Sequence, residues 1–306
     1  MTREVPPMIA TAMSPSITES AESSAQVAAF AYRQRTFAAS DTAGMVKAVE
    51  QDDGFALIPG VLNPAEVEAA RREIDRLRPF HFDAQAKPGS DRPVDHYKCV
   101  FNRSPYWLQY LDRPGVIELA EGTMGNECHI IGMTAWRSHP QGPQGDPSQV
   151  SAAGIHSDNW MFPVDEELLL TGKVKVPVTI CTAHYYLSDI DLELCPTWIV
   201  PGSHMSGKWA QNVPVEQRTS YRGREAQPVL VKAGDVLFFR SEVWHTGSHN
   251  QTLDRTRYLL QVHYGQRYIA QKFSPYLDFR FNHDVVASAT PRQRRIMGDH
   301  KASAYD

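Results

Sequence analysis

A chain of 306 residues, 42% apolar and 22% charged, has ordinary globular composition and is long enough to bury a sizeable core. A formal net charge of −4 with no Lys/Arg block argues against nucleic acid as a partner. No apolar run reaches the ~18–20 residues that a bilayer span requires, and the acidic, Ser-rich N-terminal stretch fits neither a signal nor a transit peptide. The expectation is a cytoplasmic protein without a membrane partner. Cys99, Cys128, Cys181 and Cys195 show no CxxC spacing and are expected to be reduced thiols.

Residues 1–40, rich in Ser, Ala and Thr, are expected to form a flexible arm, and 41–306 a single domain. A helix is predicted over 43–51, stopped by Asp53-Gly54, followed by a short strand over 55–58 closed by Pro59-Gly60. Asn63-Pro64 supplies an N-cap and a first-turn proline for a second helix. In it Val67, Ala70, Ile74 and Leu77 fall at helical spacing and give one buried stripe. A third helix is predicted over 116–123.

From Cys128 onward the pattern turns to strands: 128–137, 155–160, 176–187, 197–200, 229–231, 236–239 and 256–264. Turn signals at Pro201-Gly202, Ala233-Gly234-Asp235 and His249-Asn250 separate several of them. Helices first and then about seven strands predict a mostly β fold with flanking helices, a sandwich or jelly roll. Two long loops, 138–153 and 162–175, flank the 155–160 strand and are expected to cover a substrate.

That strand carries Gly154-Ile155-His156-Ser157-Asp158-Asn159-Trp160. On a strand, side chains at i and i+2 share a face, so His156 and Asp158 can grip one ion. A distant histidine, His245 in Val243-Trp244-His245-Thr246-Gly247, follows an apolar strand and can complete the set. Two imidazoles and one carboxylate leave coordination positions open for an organic cosubstrate and dioxygen, the arrangement of non-haem Fe(II) oxygenases. Further on, Arg257 shares a strand face with Leu259, Gln261 and His263. A buried arginine needs an anionic partner, and no acid shares its strand, which points to a bound carboxylate.

These motifs resemble the phytanoyl-CoA dioxygenase (PhyH-like) family of Fe(II)- and 2-oxoglutarate-dependent oxygenases. The sharpest matches are Ile155-His156-Ser157-Asp158, Pro201-Gly202-Ser203-His204, Gly234-Asp235-Val236, Trp244-His245-Thr246-Gly247 and Asp254-Arg255-Thr256-Arg257. The resemblance implies a double-stranded β-helix (a cupin-like jelly roll), with Fe(II), 2-oxoglutarate and O2 taking part. It implies His156, Asp158 and His245 as iron ligands, Arg257 as the clamp on the far carboxylate of 2-oxoglutarate, and Lys98 as a further cosubstrate contact. A guanidinium suits the clamp because its fork makes two parallel charge-assisted hydrogen bonds. The spacing from His245 to Arg257 is one residue longer than the commonest family spacing, which makes Arg255 a rival.

The implied reaction is oxidation of a small organic metabolite, by default its hydroxylation, with release of succinate and CO2. The presence of Asp158 argues against halogenation, since related halogenases lack this carboxylate. Trp160, His184 and Tyr186 are the candidate substrate contacts, with Trp160 on the face of His156 and Asp158. Trp136 and Trp198 are read as core, His204 as part of its turn, and His263 as either core or pocket. Arg137, Arg218, Arg222 and Arg224 are read as solvated charges. The alternative is a non-redox metal-binding protein, a cupin-like isomerase, lyase or binding module, which would leave Arg257 without a purpose.

Overall fold

The structure, a computed structural model, describes residues 35–81, 83–87, 93–158, 163–273 and 279–301. Trp160 and Phe162 lie outside the described residues, as does most of the expected N-terminal arm. The chain is already docked at Thr36, which bridges Leu57, and Phe37 is buried in the core.

Helix α1 (Thr42–Lys47) is capped by Asp41, whose side chain accepts from the Gly44 amide, and continues to Asp52 as a wider π turn. Strand β1 (Phe55–Ile58) follows, then α2 (Pro64–Arg76). Helix α2 opens with the predicted Asn63 cap, completed into a reciprocal box by Glu66. Its Val67, Ala70 and Ile74 are buried as the spacing predicts. Next come β2 (Val94–Lys98), α3 (Val116–Met124), β3 (His129–Ser138) and a short α4 (Glu166–Leu170). Strands β4 (Ile180–Tyr186) and β5 (Thr197–Ile199) lead to the small hairpin β6 (Ser220–Tyr221) and β7 (Arg224–Glu225). The chain ends with β8 (Gln227–Pro228), β9 (Val236–Arg240), β10 (His245–Gly247), β11 (Arg257–Gly265), α5 (His283–Ser288) and α6 (Pro291–Met297).

Six strands form one antiparallel sheet in the order β1-β9-β4-β11-β3-β2, and β10-β5-β8 form a second, smaller one. This is the expected jelly roll with helices outside the larger sheet. Alternation along β11 assigns its two faces. Leu260, Val262 and Tyr264 join the helix-side core with Ile74, Val116 and Phe238, while Leu259 packs between the sheets with Tyr186, Leu237 and Phe239.

Three elements differ from expectation. Segment 155–158 is not a named strand; it makes a single bridge, His156 to His245, at the edge of the smaller sheet. Pairing beside β5 falls at Gln227–Pro228 rather than 229–231, where Val231 makes only a lone bridge to Ile190. Strand β2 gave no apolar alternation because its inward face, Val94, His96 and Lys98, lines a cavity rather than a core. Gly54, at φ +85°, lets His204 pack deep in its turn: a Cβ there would stand 2.6 Å from His204 Nδ1.

Candidate metal centre

Backbone pairing brings the two histidines together. His156 and His245 exchange both N–H···O bonds at 2.9 Å, and the Asp158 amide donates to Ser241 O at 3.0 Å. Between the two, Ser157 points the other way: its backbone is held by the Gln211 side chain and its hydroxyl donates to Glu242 O. His156 and Asp158 therefore face the cavity together, as the i, i+2 spacing predicts. The His156 and His245 ring centroids are 4.6 Å apart. Each Nε2 lies 3.5 Å from a different oxygen of Asp158, and one ligand atom from each residue falls within 4.8 Å of the others.

The opposite ring nitrogens are already committed. His156 Nδ1 is 2.9 Å from Gly154 O and His245 Nδ1 is 2.8 Å from Val243 O. A carbonyl only accepts, so each Nδ1 carries the proton and each neutral ring presents an Nε2 lone pair beside the carboxylate. With no ion bound, burial raises the Asp158 pKa, but protonated His245 and His156 outweigh it by charge and hydrogen bonding and hold the carboxyl well below the usual range. A bound cation would take the place of those two Nε2 protons. Three electron-pair donors on one point are the donor set of a divalent transition ion, and the residues fit iron.

These groups open onto a cavity of about 1350 Å³ between the sheets, above the ~300–1,000 Å³ usual for one small ligand. Arg257 lies in its wall, 8% exposed, with Nη2 3.5 Å from Thr197 Oγ1 and its guanidinium 5.6 Å from the Tyr186 ring centroid. Its Nε is buried without a partner, and no acidic side chain meets it among the described residues. Arg255, the rival, is half-exposed and already paired with Asp191 at 2.6 Å.

His184 also lines the cavity. Tyr186 does not: it is fully buried beneath Arg257, with its hydroxyl donating to Thr197 Oγ1 at 3.0 Å. Its expected place among substrate contacts is corrected to the wall that supports Arg257. Lys98 lines the cavity, four residues along β2 from Val94, and Val94 is the residue level with Arg257 through Ser138.

Sequence reasoning missed Trp136, His96, Gln261 and Lys272 as cavity residues. Trp136 stacks on His96 with centroids 3.8 Å apart, whereas Trp198 is core as expected. The available signal was register: Trp136 and His96 sit level with Leu259, on the inward face shared with Arg257.

Residues 51–258 match the phytanoyl-CoA dioxygenase (PhyH) family. Among known proteins, the multifunctional dioxygenase prhA of Penicillium brasilianum is 23% identical over 237 residues, 74% of each chain. Dioxygenase af480 of Aspergillus fumigatus is 23% identical over 228 residues, 70% of this chain and 64% of its own length. The epimerase SnoN from nogalamycin biosynthesis, a non-haem α-ketoglutarate-dependent enzyme, has a similar fold: TM-score 0.55, 20% identity, 78% of this chain and 92% of that one. The carbocyclase SnoK from the same biosynthesis gives TM-score 0.54 at 18% identity, over 76% of this chain and 87% of that one. No helix among the described residues is long and apolar enough to cross a membrane. With more than half of its length matched, the chain belongs to the phytanoyl-CoA dioxygenase family and is a non-haem iron- and 2-oxoglutarate-dependent dioxygenase.

Proposed function

We propose that this dioxygenase oxidises a small organic molecule in the cavity between its sheets, with His156, Asp158 and His245 holding the iron and Arg257 binding the far carboxylate of 2-oxoglutarate. The observation that carries this assignment is the convergence of three ligand atoms within 4.8 Å, beside a buried guanidinium without an acidic partner. A cation withdrawn from water without a counter-charge costs several kcal/mol, and a dicarboxylate offsets that cost.

Bound iron supplies the redox chemistry that couples oxidative decarboxylation of 2-oxoglutarate to oxidation of the substrate, with release of succinate and CO2. The chain's own groups do the rest. Gly154 O and Val243 O hold the two imidazoles in the tautomer whose Nε2 can ligate. Arg257 orients the cosubstrate, with Thr197 and Tyr186 fixing its fork from behind. Gln141, in loop 138–153, lines the cavity, and that loop is tied to Asn250 and Thr252 by backbone bonds. This supports its role as a cover that keeps water from the reacting groups. SnoN, which shares the fold, is known in complex with Fe3+, α-ketoglutarate and nogalamycin RO; for this chain too we assign a ring-bearing metabolite as substrate, with hydroxylation as the default outcome.

The test is a screen of the iron-loaded chain against a metabolite library, reading succinate release and oxidised product together. A hit should give the two in equal amounts and none with His156→Ala. Full turnover by that variant would remove the ligand assignment.

A further inference from the structure

The cavity continues past the metal centre and Arg257 into a second region that the cosubstrate does not account for. Lys98 and Lys272 both line it, and neither ammonium has a hydrogen-bond or ion-pair partner among the described residues. Register places the two side chains together. Lys98 is level with Thr134 on β3. The Lys272 amide donates to Ile131 O at 2.7 Å, and its Cδ would lie 3.8 Å from a Cβ added at Gly132. Gly132 and Thr134 are consecutive inward positions of β3, so both lysine stems cross the same patch of the sheet. Both lysines are open to solvent at the cavity mouth, and Lys272 senses Lys98: partial burial lowers the Lys272 pKa, Asp158 opposes this, and the Lys98 charge lowers it further.

The cation balance of the cavity supports an anionic guest. Among its described lining residues Asp158 is the one carboxylate, against Lys98, Lys272, Arg103, Arg257 and Arg280. Arg103 is neutralised by buried Asp83 at 2.6 Å. Arg280 donates to Phe279 O. On the functional assignment above, a divalent ion, Asp158, dianionic 2-oxoglutarate and Arg257 balance one another, which leaves the two lysines without a counter-charge among the described lining residues. Lys98 also stands about 13 Å along the strand direction from the level of Arg257, toward the other end of the cavity.

Next to the lysines the wall is aromatic. Phe273, Phe279 and Phe281 pack on one another with centroids 4.9, 5.2 and 5.9 Å apart. Phe281 and Phe80, both lining the cavity, remain 43% and 50% exposed. One face of Phe80 is covered by the Arg103 guanidinium at 4.2 Å, and the aromatic surface that remains open beside the lysines is what a ring-bearing anion would cover.

We infer that Lys98 and Lys272 form a substrate-anion site, and that the substrate is an organic anion whose ring system lies against Phe80, Phe279 and Phe281, with buried Phe273 behind them. This rests on the dioxygenase site described above but concerns a separate region of the cavity. It moves Lys98 from the cosubstrate, where the family resemblance set it, to the substrate.

The test uses the full chain with iron(II) and saturating 2-oxoglutarate under anaerobic conditions, so that Arg257 is already occupied. Benzoate, 1-naphthoate and 2-anthracenecarboxylate are titrated by calorimetry beside their neutral carboxamides. Expected is at least tenfold tighter binding of one or more carboxylates than of the matching amide. Lys98→Met and Lys272→Met should each remove most of that preference, and Lys272→Arg should restore it. Affinity for 2-oxoglutarate, read from its visible absorption band with iron, should stay within about twofold in every lysine variant. Equal binding of all acids and amides by the wild type would overturn the proposal, as would a preference that survives in the double variant. So would lysine variants that lose 2-oxoglutarate instead, which would return both groups to the cosubstrate. A wild type that gives no 2-oxoglutarate band would refute the cosubstrate assignment, while the acid-over-amide preference would still report on the lysines.

Discussion

The side-chain amide nitrogen of Gln261 lies 2.7 Å from Nε2 of His184, while the Gln261 carbonyl oxygen accepts from the Trp136 indole at 2.6 Å. An indole nitrogen can only donate, so the amide oxygen faces Trp136 and the amide nitrogen must donate to His184. His184 is thereby fixed with its proton on Nδ1, an atom that is buried and has no partner among the described residues. Burial, and after it the charge of Arg257, hold its pKa well below the usual histidine range, so the ring is neutral at physiological pH. The relay prepares a donor in the cavity wall close enough to Arg257, His245 and Asp158 to feel their charges.

That donor should serve the cosubstrate. His184→Phe keeps the ring packing against Phe239 and Tyr186 but removes the N–H. We expect 2-oxoglutarate affinity to fall roughly 10- to 100-fold, the equivalent of about 1.5–3 kcal/mol for a hydrogen bond to a charged group. Gln261→Leu should give a smaller loss, since it frees the tautomer without deleting the ring. Anaerobic titration of the iron–2-oxoglutarate absorption band measures both. Unchanged affinity in His184→Phe would mean that Nδ1 serves another group.

The two arginines near the start of β11 should separate cleanly. Arg257→Ala should weaken 2-oxoglutarate binding by roughly 2–5 kcal/mol, the cost of truncating one partner of a buried charge pair. Arg255→Ala breaks a half-exposed pair with Asp191 and should change stability by no more than about 1 kcal/mol, with affinity unaffected. If Arg255→Ala gives the larger loss of affinity, the clamp is misassigned.

Asp158→Ala leaves two imidazoles without the charge that balances a divalent ion. Succinate formation should drop to background, and iron retained after gel filtration should fall below one tenth of the wild-type amount. Asp158→Glu keeps the charge but lengthens the arm, so it should hold metal while losing most turnover. Metal retention by the alanine variant equal to wild type would argue for a different ligand set.

His96 gives a stability prediction with a defined pH window. Burial first, and then the charge of Lys98, push its pKa down to about 4, against a smaller opposing effect of Asp83. An unfolded histidine titrates near pH 6.5, so between pH 6.5 and 4 the unfolded chain holds a proton that the folded chain refuses. Stability should be greatest above pH 6.5 and fall as the solution is acidified, by about 3 kcal/mol at most once pH 4 is passed. His96→Phe, which preserves the stack on Trp136, should flatten that part of the profile. Urea unfolding midpoints between pH 4.5 and 7.5 provide the measurement, and parallel profiles for the two proteins would refute it.

The elements that pack on the helix side were readable because their apolar residues repeat at the period of their own structure. The stripe on α2 and the pair Leu260 and Val262 on β11 are examples. The convergence of His156, Asp158 and His245 was readable too, since His156 and Asp158 needed only a common face and His245 only a preceding strand. What escaped the sequence was the wall of the cavity. Val94, His96 and Lys98 alternate with Asp95 and Tyr97, and no hydrophobic period marks a strand whose inner side meets solvent or ligand. Trp136 resembled core because a large aromatic gives the same local signal whether it fills a hydrophobic layer or lines a chamber. Tyr186 was misplaced for a related reason: its face was right, but the bulk of Arg257 above it could be seen only in three dimensions. Lys272 carries no motif at all, and only the fold brings it over Gly132.

Both imidazoles are steadied by a carbonyl two residues back in their own segment, Gly154 for His156 and Val243 for His245. The tautomer of each ring is therefore set within three consecutive residues, while the backbone pair between the two segments sets where the rings stand. Insertions, deletions and wholesale changes of chemistry around the rim can accumulate without turning either ring away. A scaffold built like this can exchange the molecules it works on while its two imidazoles stay where they were.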